Sequence, residues 1–254
     1  MVVAVLGIFS ITISDLTSDC LSQLFQRFPN LTSLNLNPYG NRFCWIPALT
    51  SSVRIQFTQT NSLHNSNSSF ASPQIKDLHL NTQTWLKDET VQTIASVFPN
   101  LKLLDLIYCH KISEKGICHV LRTCSNIRHL TLTDCLGINI PGANFEVANL
   151  GVLNLSLTYI DDEALHVISK SCRGLLELYL QFCICVTDKG VKHVLENCTQ
   201  MREINLRCIS KMHGHDLVSL ILSRPSLRKL TTPYPCRFSD REMELLLRKG
   251  CIGC

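Results

Sequence analysis

A short apolar phrase recurs along this chain and constrains its fold more than any other feature. Nearly every copy places apolar residues at its first, fourth and sixth positions. The clearest copies are Ile75-Leu78-Leu80, Leu101-Leu104-Leu106, Ile127-Leu130-Leu132, Leu150-Leu153-Leu155, Leu175-Leu178-Leu180, Met201-Ile204-Leu206 and Leu227-Leu230. From residue 75 onward the first positions are 26, 26, 23, 25, 26 and 26 residues apart. A fixed period of this length is typical of proteins built from stacked repeats.

Two further copies precede this series. Leu31-Leu34-Leu36 lies 44 residues before Ile75, and a weaker copy, Val5-Ile8-Ser10, lies 26 residues before Leu31. We therefore predict a single repeat domain over residues 1–254, with about eight or nine units. The interval between Leu31 and Ile75 is longer than one repeat unit. This extra length predicts a polar loop insertion near residues 40–74, which is rich in Asn and Ser. This loop is either a tolerated insertion or a flap that helps to grip a ligand.

Each unit has the pattern of a short strand, a turn and a helix. Alternating apolar residues, such as Leu104 and Leu106, place one face of the strand in the core. Ser113, Asp161 and Thr187 stand where a helix N-cap is needed, because their side-chain oxygens can accept the first free N–H groups. No unit can bury its strand and its helix alone, so neighbours must stack. The predicted fold is an α/β solenoid with parallel strands on the concave face and helices on the convex face.

One unit departs from this pattern. The 23-residue unit that begins at Ile127 has the segment 137–142, Gly-Ile-Asn-Ile-Pro-Gly, where the others have a helix signal. Glycine and proline are poor helix residues. We expect an irregular convex side in this unit.

The residues in the second half of each unit indicate which family of repeat proteins this chain resembles. Cys109 is followed by Ile112-Ser-Glu-Lys-Gly116, and Cys183 by Val186-Thr-Asp-Lys-Gly190. These residues resemble the cysteine-containing leucine-rich repeat of F-box/leucine-rich-repeat proteins, the substrate receptors of SCF-type ubiquitin ligases. Residues 24–36 and 224–230 look like a plant branch of that family. The resemblance implies that the repeats hold a protein target for ubiquitin-dependent degradation, while other subunits catalyse ubiquitin transfer. We expect no cofactor.

The F-box of that family is a helical module that precedes the repeats and docks on the ligase adaptor. Because repeat-like residues begin by position 5, we expect no F-box within this chain. The adaptor and the cullin are then expected as partners only if an F-box is supplied upstream. The alternative function is a stand-alone scaffold or inhibitor that joins no ubiquitin ligase. An extracellular receptor would instead need a signal peptide and disulfide-bonded caps.

Composition and charge exclude several other partners. The chain has 254 residues, of which 45% are hydrophobic and 17% charged, and its net charge is +4 without a Lys/Arg run. A nucleic-acid partner is therefore not expected. The apolar run over residues 2–13 is too short to span a membrane and lacks the basic start of a signal peptide. We expect a cytoplasmic or nuclear protein with reduced thiols.

The chain contains 14 cysteines, and six of them recur at fixed places in the repeat. Cys109, Cys135 and Cys183 follow the strands, and Cys124, Cys172 and Cys198 precede the next unit, so we predict ladders of small buried side chains. A zinc site from Cys183, Cys185, His213 and His215 is the alternative. The terminal Cys251 and Cys254 are a redox pair, a prenylation signal or part of the closing cap. No motif for a metal, a phosphate or a nucleophile is present, so no enzyme is predicted.

If the solenoid is correct, binding belongs to the third, fifth and seventh residues of each unit, which project from the concave strand face. Ser156 belongs to this series and is expected to be exposed. The candidate partner-binding residues are Asp77, His79, Leu103, Asp105, Ile107, His129, Glu177, Tyr179, Glu203 and Arg207. Leu103, Ile107 and Tyr179 are candidate anchors because apolar side chains that point outward often hold partners. The four carboxylates predict a partner of basic and apolar character.

Overall fold

The computed structural model describes residues 3–5, 8–10, 32–35, 75–83, 86–138, 147, 149–212, 215–233 and 238–249. The predicted insertion near 40–74, residues 139–142 of the irregular unit, and Cys251 and Cys254 lie outside these residues. His213 of the alternative zinc site also lies outside them.

The strands form one ten-stranded sheet whose order follows the sequence. They are β1 (Val3–Val5), β2 (Ile8–Ser10), β3 (Ser33–Asn35), β4 (Asp77–His79), β5 (Leu103–Asp105), β6 (His129–Thr131), β7 (Val152–Asn154), β8 (Glu177–Tyr179), β9 (Glu203–Asn205) and β10 (Lys229–Thr231). All neighbours from β2 to β10 pair in parallel. This topology is that of a leucine-rich-repeat solenoid, as the period predicts.

The strand register follows the leucine pattern. The fourth residue of each unit pairs with the fourth residue of the next, so that Leu78 pairs with Leu104 and Leu104 with Leu130. These three side chains are buried between the sheet and the convex layer. The backbone continues the ladder past the strands, since the Leu80 N–H donates to the Asp105 carbonyl at 2.8 Å. The alternation in sequence thus fixes which residues face the core and which face the concave side.

Six described helices follow the strands. They are α1 (Asp88–Val97), α2 (Glu114–Thr123), α3 (Asp162–Ser171), α4 (Asp188–Asn197), α5 (His215–Leu222) and α6 (Asp240–Arg248). The three predicted N-caps are confirmed. Ser113 and Thr187 each accept an N–H at 3.2 Å from the residue two places on, and Asp161 accepts the Ala164 N–H at 2.9 Å. The helices lie on the convex side.

The first predicted unit is wrong in register. Val3–Val5 pairs with Ile8–Ser10 as antiparallel strands, and Phe9 pairs with Leu34. The predicted frame had placed Ile8 opposite Leu34. The sequence explains the shift, because Leu6, Phe9 and Ile11 supply three apolar residues at the phrase spacing. The predicted frame has a polar Ser10 in its sixth place.

The two cysteine ladders are confirmed as buried side chains. All six thiols have at most 1% of their surface exposed. Each of three, Cys109, Cys135 and Cys183, donates its S–H to the carbonyl of the sixth residue in the preceding unit, over 2.9 to 3.3 Å. A sulfur that fills a small space and also satisfies a buried carbonyl explains why cysteine recurs at this place.

A carboxylate at the first residue of a helix joins neighbouring units on the convex side. Asp162 of α3 accepts the Thr187 N–H at 2.8 Å, the Thr187 hydroxyl at 2.6 Å and the Gly190 N–H at 3.1 Å. Asp88 of α1 accepts the Ser113 N–H at 2.7 Å and the Ser113 hydroxyl at 2.5 Å. Each N-cap residue is therefore held by the helix of the preceding unit. We call these two contacts the inter-unit clamps.

Candidate functional site

The structure places the predicted partner-binding residues on or directly after five strands of the concave face. Asp77, Leu103, His129, Glu177 and Glu203 occupy the same register position in β4, β5, β6, β8 and β9. His79, Asp105 and Tyr179 lie two residues further along their strands, and Ile107 and Arg207 follow β5 and β9. His129 and Arg207 are exposed, and the other eight are partly buried. The sheet thus brings all ten residues to one surface.

Asp105 is the centre of a polar network on this surface. Its Oδ2 accepts a hydrogen bond from Asn81 Nδ2 at 2.9 Å and lies 3.2 Å from His79 Nδ1. The Oδ1 of Asp105 is buried and has no hydrogen-bond partner among the described residues. Leu103 and Ile107 flank the carboxylate at the third and seventh places of the same unit. A negative charge between two apolar side chains suits a cation carried on an apolar segment.

A second polar cluster lies on β8, β9 and β10. The Tyr179 hydroxyl donates to Glu177 Oε2 at 2.9 Å, and Lys229 Nζ lies 2.7 Å from Glu203 Oε1. Desolvation, followed by the hydrogen bond and charge of Glu177, raises the pKa of Tyr179, so its hydroxyl stays protonated. Lys229 neutralises part of the negative charge at this end. The acidic character of the concave face is therefore strongest between β4 and β8.

One predicted surface residue is wrong. Ser156 is only 7% exposed, whereas its place in the series predicted an exposed side chain. Its N–H is held by Asn154 Oδ1 at 3.0 Å. Ser156 is a small residue in the row that also contains Thr133 and Gln181 of the adjacent units.

The structure adds a surface that the sequence pattern does not reveal. The eighth residue of six units has a left-handed backbone, with φ between 56° and 61°, in Thr82, Tyr108, Asp134, Leu157, Phe182 and Cys208. Three of these residues, Tyr108, Leu157 and Phe182, are bulky and apolar. Two places after Asp134, Leu157 and Phe182 stand Leu136, Tyr159 and Ile184. We call Tyr108, Leu136, Leu157, Tyr159, Phe182 and Ile184 the carboxyl-edge band, since they follow the carboxyl ends of parallel strands. All six are between 38% and 57% exposed.

The buried thiols do not have the properties of catalytic nucleophiles. Burial raises the pKa of Cys124 to about 11 and the pKa of Cys135, Cys172 and Cys198 to about 12. A reactive cysteine needs the opposite shift. Within the described part of the chain, no group of three or more His, Cys, Asp or Glu side chains could hold a metal ion. In the same residues, no helix is long and apolar enough to cross a membrane.

A regular strand face lined with polar and apolar side chains, carried on a leucine-rich-repeat solenoid, defines this chain as a protein-interaction module. The chain is similar to F-box/LRR-repeat protein 4 of Bos taurus, with 24% identity over 178 residues that make up 66% of this chain. It is also similar to GRR1-like protein 1 of Arabidopsis thaliana, with 30% identity over 79 residues, or 30% of this chain. No protein-family model matches the chain.

The matched segments cover 28% of the bovine protein and 14% of the Arabidopsis protein, so the chain spans less than a third of either relative. These relatives come from an animal and from a plant, and the plant assignment stays a prediction. Among solved structures, a chain of the yeast Rad7 and Elc1 complex aligns with a TM-score of 0.41 and 14% identity. That alignment covers 70% of this chain and 61% of the yeast chain.

Proposed function

We propose that this chain is the target-binding part of an SCF-type ubiquitin ligase receptor that acts in ubiquitin-dependent protein degradation. The observation that carries the proposal is the concave face of β4 to β9, where Asp105 lies between Leu103 and Ile107. The similarity to F-box/LRR-repeat proteins supports the same class of function. In this proposal the chain holds a protein target and catalyses no reaction, and it works in the cytoplasm or the nucleus.

The target is expected to present a basic side chain next to apolar ones. Asp105 supplies a negative charge for such a cation, and Leu103 and Ile107 provide apolar contact on both sides of it. A charge-assisted hydrogen bond in a partly desolvated place is stronger than one between neutral groups. We therefore assign the centre of the target site to β5 and its two neighbours, β4 and β6.

The first test is an affinity pull-down from a plant-cell lysate. It uses this chain and a version extended upstream in its gene, and it measures the recovery of the ligase adaptor and the cullin. Adaptor recovered with the extended version alone supports the proposal. Adaptor recovered with neither version contradicts it and favours a stand-alone scaffold that does not join a ubiquitin ligase.

The second test reverses the charge at the centre of the site. The double variant Asp105→Lys, Leu103→Ala is expected to weaken binding of a target identified by the pull-down about a hundredfold, since it removes a charged contact and an apolar anchor. Glu196→Lys, an equal charge reversal on the exposed side of α4, is the matched control. Binding is measured by titration calorimetry, and circular dichroism checks that both variants are folded. Unchanged affinity of the double variant would place the site elsewhere.

A further inference from the structure

The repeat places a left-handed backbone at the eighth residue of six units, but it does not require bulky, exposed apolar side chains there. Tyr108, Leu157 and Phe182 have φ values of 61°, a region where bulky residues are rarely found. Each of them also exposes a large part of an apolar side chain to water. Glycine or asparagine would relieve the first problem, and a polar side chain would relieve the second. Strained residues that persist in spite of such alternatives often belong to functional sites.

The six side chains of the band lie on four neighbouring units, with Asp134 between Tyr108 and Leu157 in the row of eighth residues. The eighth residue of each unit donates its N–H to the seventh residue of the next, as Tyr108 does to Thr133 at 2.9 Å and Leu157 to Gln181 at 2.8 Å. The strands are thus in register up to the band, and the rows of side chains repeat at the strand spacing of about 4.8 Å. Exposed apolar side chains gathered on neighbouring units are characteristic of a protein interaction site.

The distance between the rows of side chains in the band indicates which secondary structure of a partner fits them. One turn of an α-helix is about 5.4 Å long, so apolar residues one turn apart follow the rows closely. In an extended strand, residues on the same face are about 6.7 Å apart. This distance exceeds the spacing of the rows, so the second side chain of such a peptide already misses its row. An amphipathic helix lying across the strand ends therefore fits the band better than an extended peptide does.

Asp134 adds a charge requirement. It occupies the eighth place between Tyr108 and Leu157, and it is only partly buried. No Lys, Arg or His of the described residues pairs with its carboxylate. A helix that covers the band must bring a cation to this carboxylate or leave it desolvated without a partner.

We propose that the carboxyl-edge band binds an amphipathic helix of a protein partner, with an apolar stripe along the band and a Lys or Arg beside Asp134. This inference rests on the proposed function as a target-binding module, and it adds a second surface to the concave site. The concave face and the band meet in the unit of β5, where Ile107 and Tyr108 are consecutive. A target can therefore contact both surfaces at once.

The test uses two peptide display libraries, one presented on a rigid helical scaffold and one of linear peptides. Both are selected on the wild-type chain and counter-selected on the triple variant Tyr108→Asn, Leu157→Asn, Phe182→Asn. Asparagine is chosen because it tolerates the left-handed backbone. Thr82→Asn with Cys208→Asn is the matched control, since these residues have the same backbone conformation outside the band.

We expect enriched clones from the helical library, with an apolar stripe and a basic residue. Their affinity should fall about a hundredfold on the triple variant and remain unchanged on the control. Asp134→Asn should weaken a selected clone and have no effect on the same clone with Gln in place of its basic residue. Analytical ultracentrifugation of the wild-type chain is expected to show a monomer.

Several outcomes would overturn the proposal. They are the absence of enriched helical clones, enrichment of linear peptides alone, equal binding to the triple variant, and a dimer that the triple variant abolishes. The last result would assign the band to a second copy of this chain. A further outcome is a target that binds the triple variant with unchanged affinity and fails to bind the Asp105→Lys, Leu103→Ala variant. That result would contradict the band proposal and support the concave-face proposal.

Discussion

Replacing Asp162 with alanine is expected to lower the free energy of unfolding by about 3 kcal/mol, because a partly buried clamp loses a charged acceptor. Three donors on the next unit, the Thr187 N–H, the Thr187 hydroxyl and the Gly190 N–H, then lose their common partner. Urea denaturation followed by circular dichroism measures the change. Glu163→Ala is the matched control, since it removes the same charge from the same helical turn at an exposed position.

The same clamp reverses the usual effect of a glycine substitution. Glycine to alanine within a helix normally stabilises it by about 1 kcal/mol. A Cβ at Gly190, however, would overlap the Asp162 carboxylate and lie 2.9 Å from Leu165 Cδ1, so Gly190→Ala should destabilise the chain by about 2 kcal/mol. Gly151→Ala, whose Cβ would have no neighbour closer than 3.7 Å, controls for the added methyl group. A stable Gly190→Ala protein would show that the clamp can open without loss.

Alkaline pH is expected to destabilise the chain through its buried thiols. Burial raises the pKa of Cys135, Cys172 and Cys198 from 9.0 to about 12, and it raises the pKa of Cys109 as well. The unfolded thiols ionise near pH 9 while the folded ones stay neutral, so stability is complete below pH 9 and is lost as the pH rises toward 12. At pH 10 the loss is between about 1 and 2 kcal/mol for each of these four thiols, or about 6 kcal/mol together.

This linkage is measured as the slope of the unfolding free energy against pH, in the presence of a reducing agent. Cys172→Ala has one buried thiol fewer, and its slope above pH 9 should be shallower by about 1.4 kcal/mol per pH unit. The slopes of the two proteins are compared, and not their unfolding free energies at one pH, because the substitution also changes the unfolding free energy at neutral pH. Identical slopes in the two proteins would mean that Cys172 ionises as easily in the folded state as in the unfolded state.

The local parts of the fold follow directly from the sequence. The position of Leu104 in its phrase predicts a buried strand residue, and Ser113 before an apolar stripe predicts a helix N-cap. Both depend on residues that are close in the chain. The burial of Cys109 also follows, because identical placement in successive units implies identical surroundings.

Contacts between units are harder to predict. The partner of Asp162 lies 25 residues away, and nothing near Asp162 distinguishes it from an ordinary first-turn acid. The glycine of the Thr-Asp-Lys-Gly motif is a signal for the clamp, because glycine near the start of a helix indicates a close approach. The strand β1 is missed because it pairs with its neighbour as a hairpin instead of following the repeat.

The carboxyl-edge band is missed for another reason. A left-handed backbone is normally indicated by glycine or asparagine, and Tyr108, Leu157 and Phe182 give the opposite signal. Only the shared geometry of six successive units identifies this row. The ten concave residues, in contrast, are found by counting along the repeat, since alternation decides the exposed face of a strand.

The central claim is that the concave face recognises a protein target. It is tested most directly with a photo-crosslinking amino acid placed at His129, which is exposed on β6, or at Lys192, which is exposed on the convex helix α4. Each protein is irradiated together with the target recovered by the pull-down, and the adducts are identified by mass spectrometry. We predict a covalent adduct from the probe at His129 and none from the probe at Lys192. An adduct from the probe at Lys192 alone would contradict the account, because the target would then bind the helices and not the strand face.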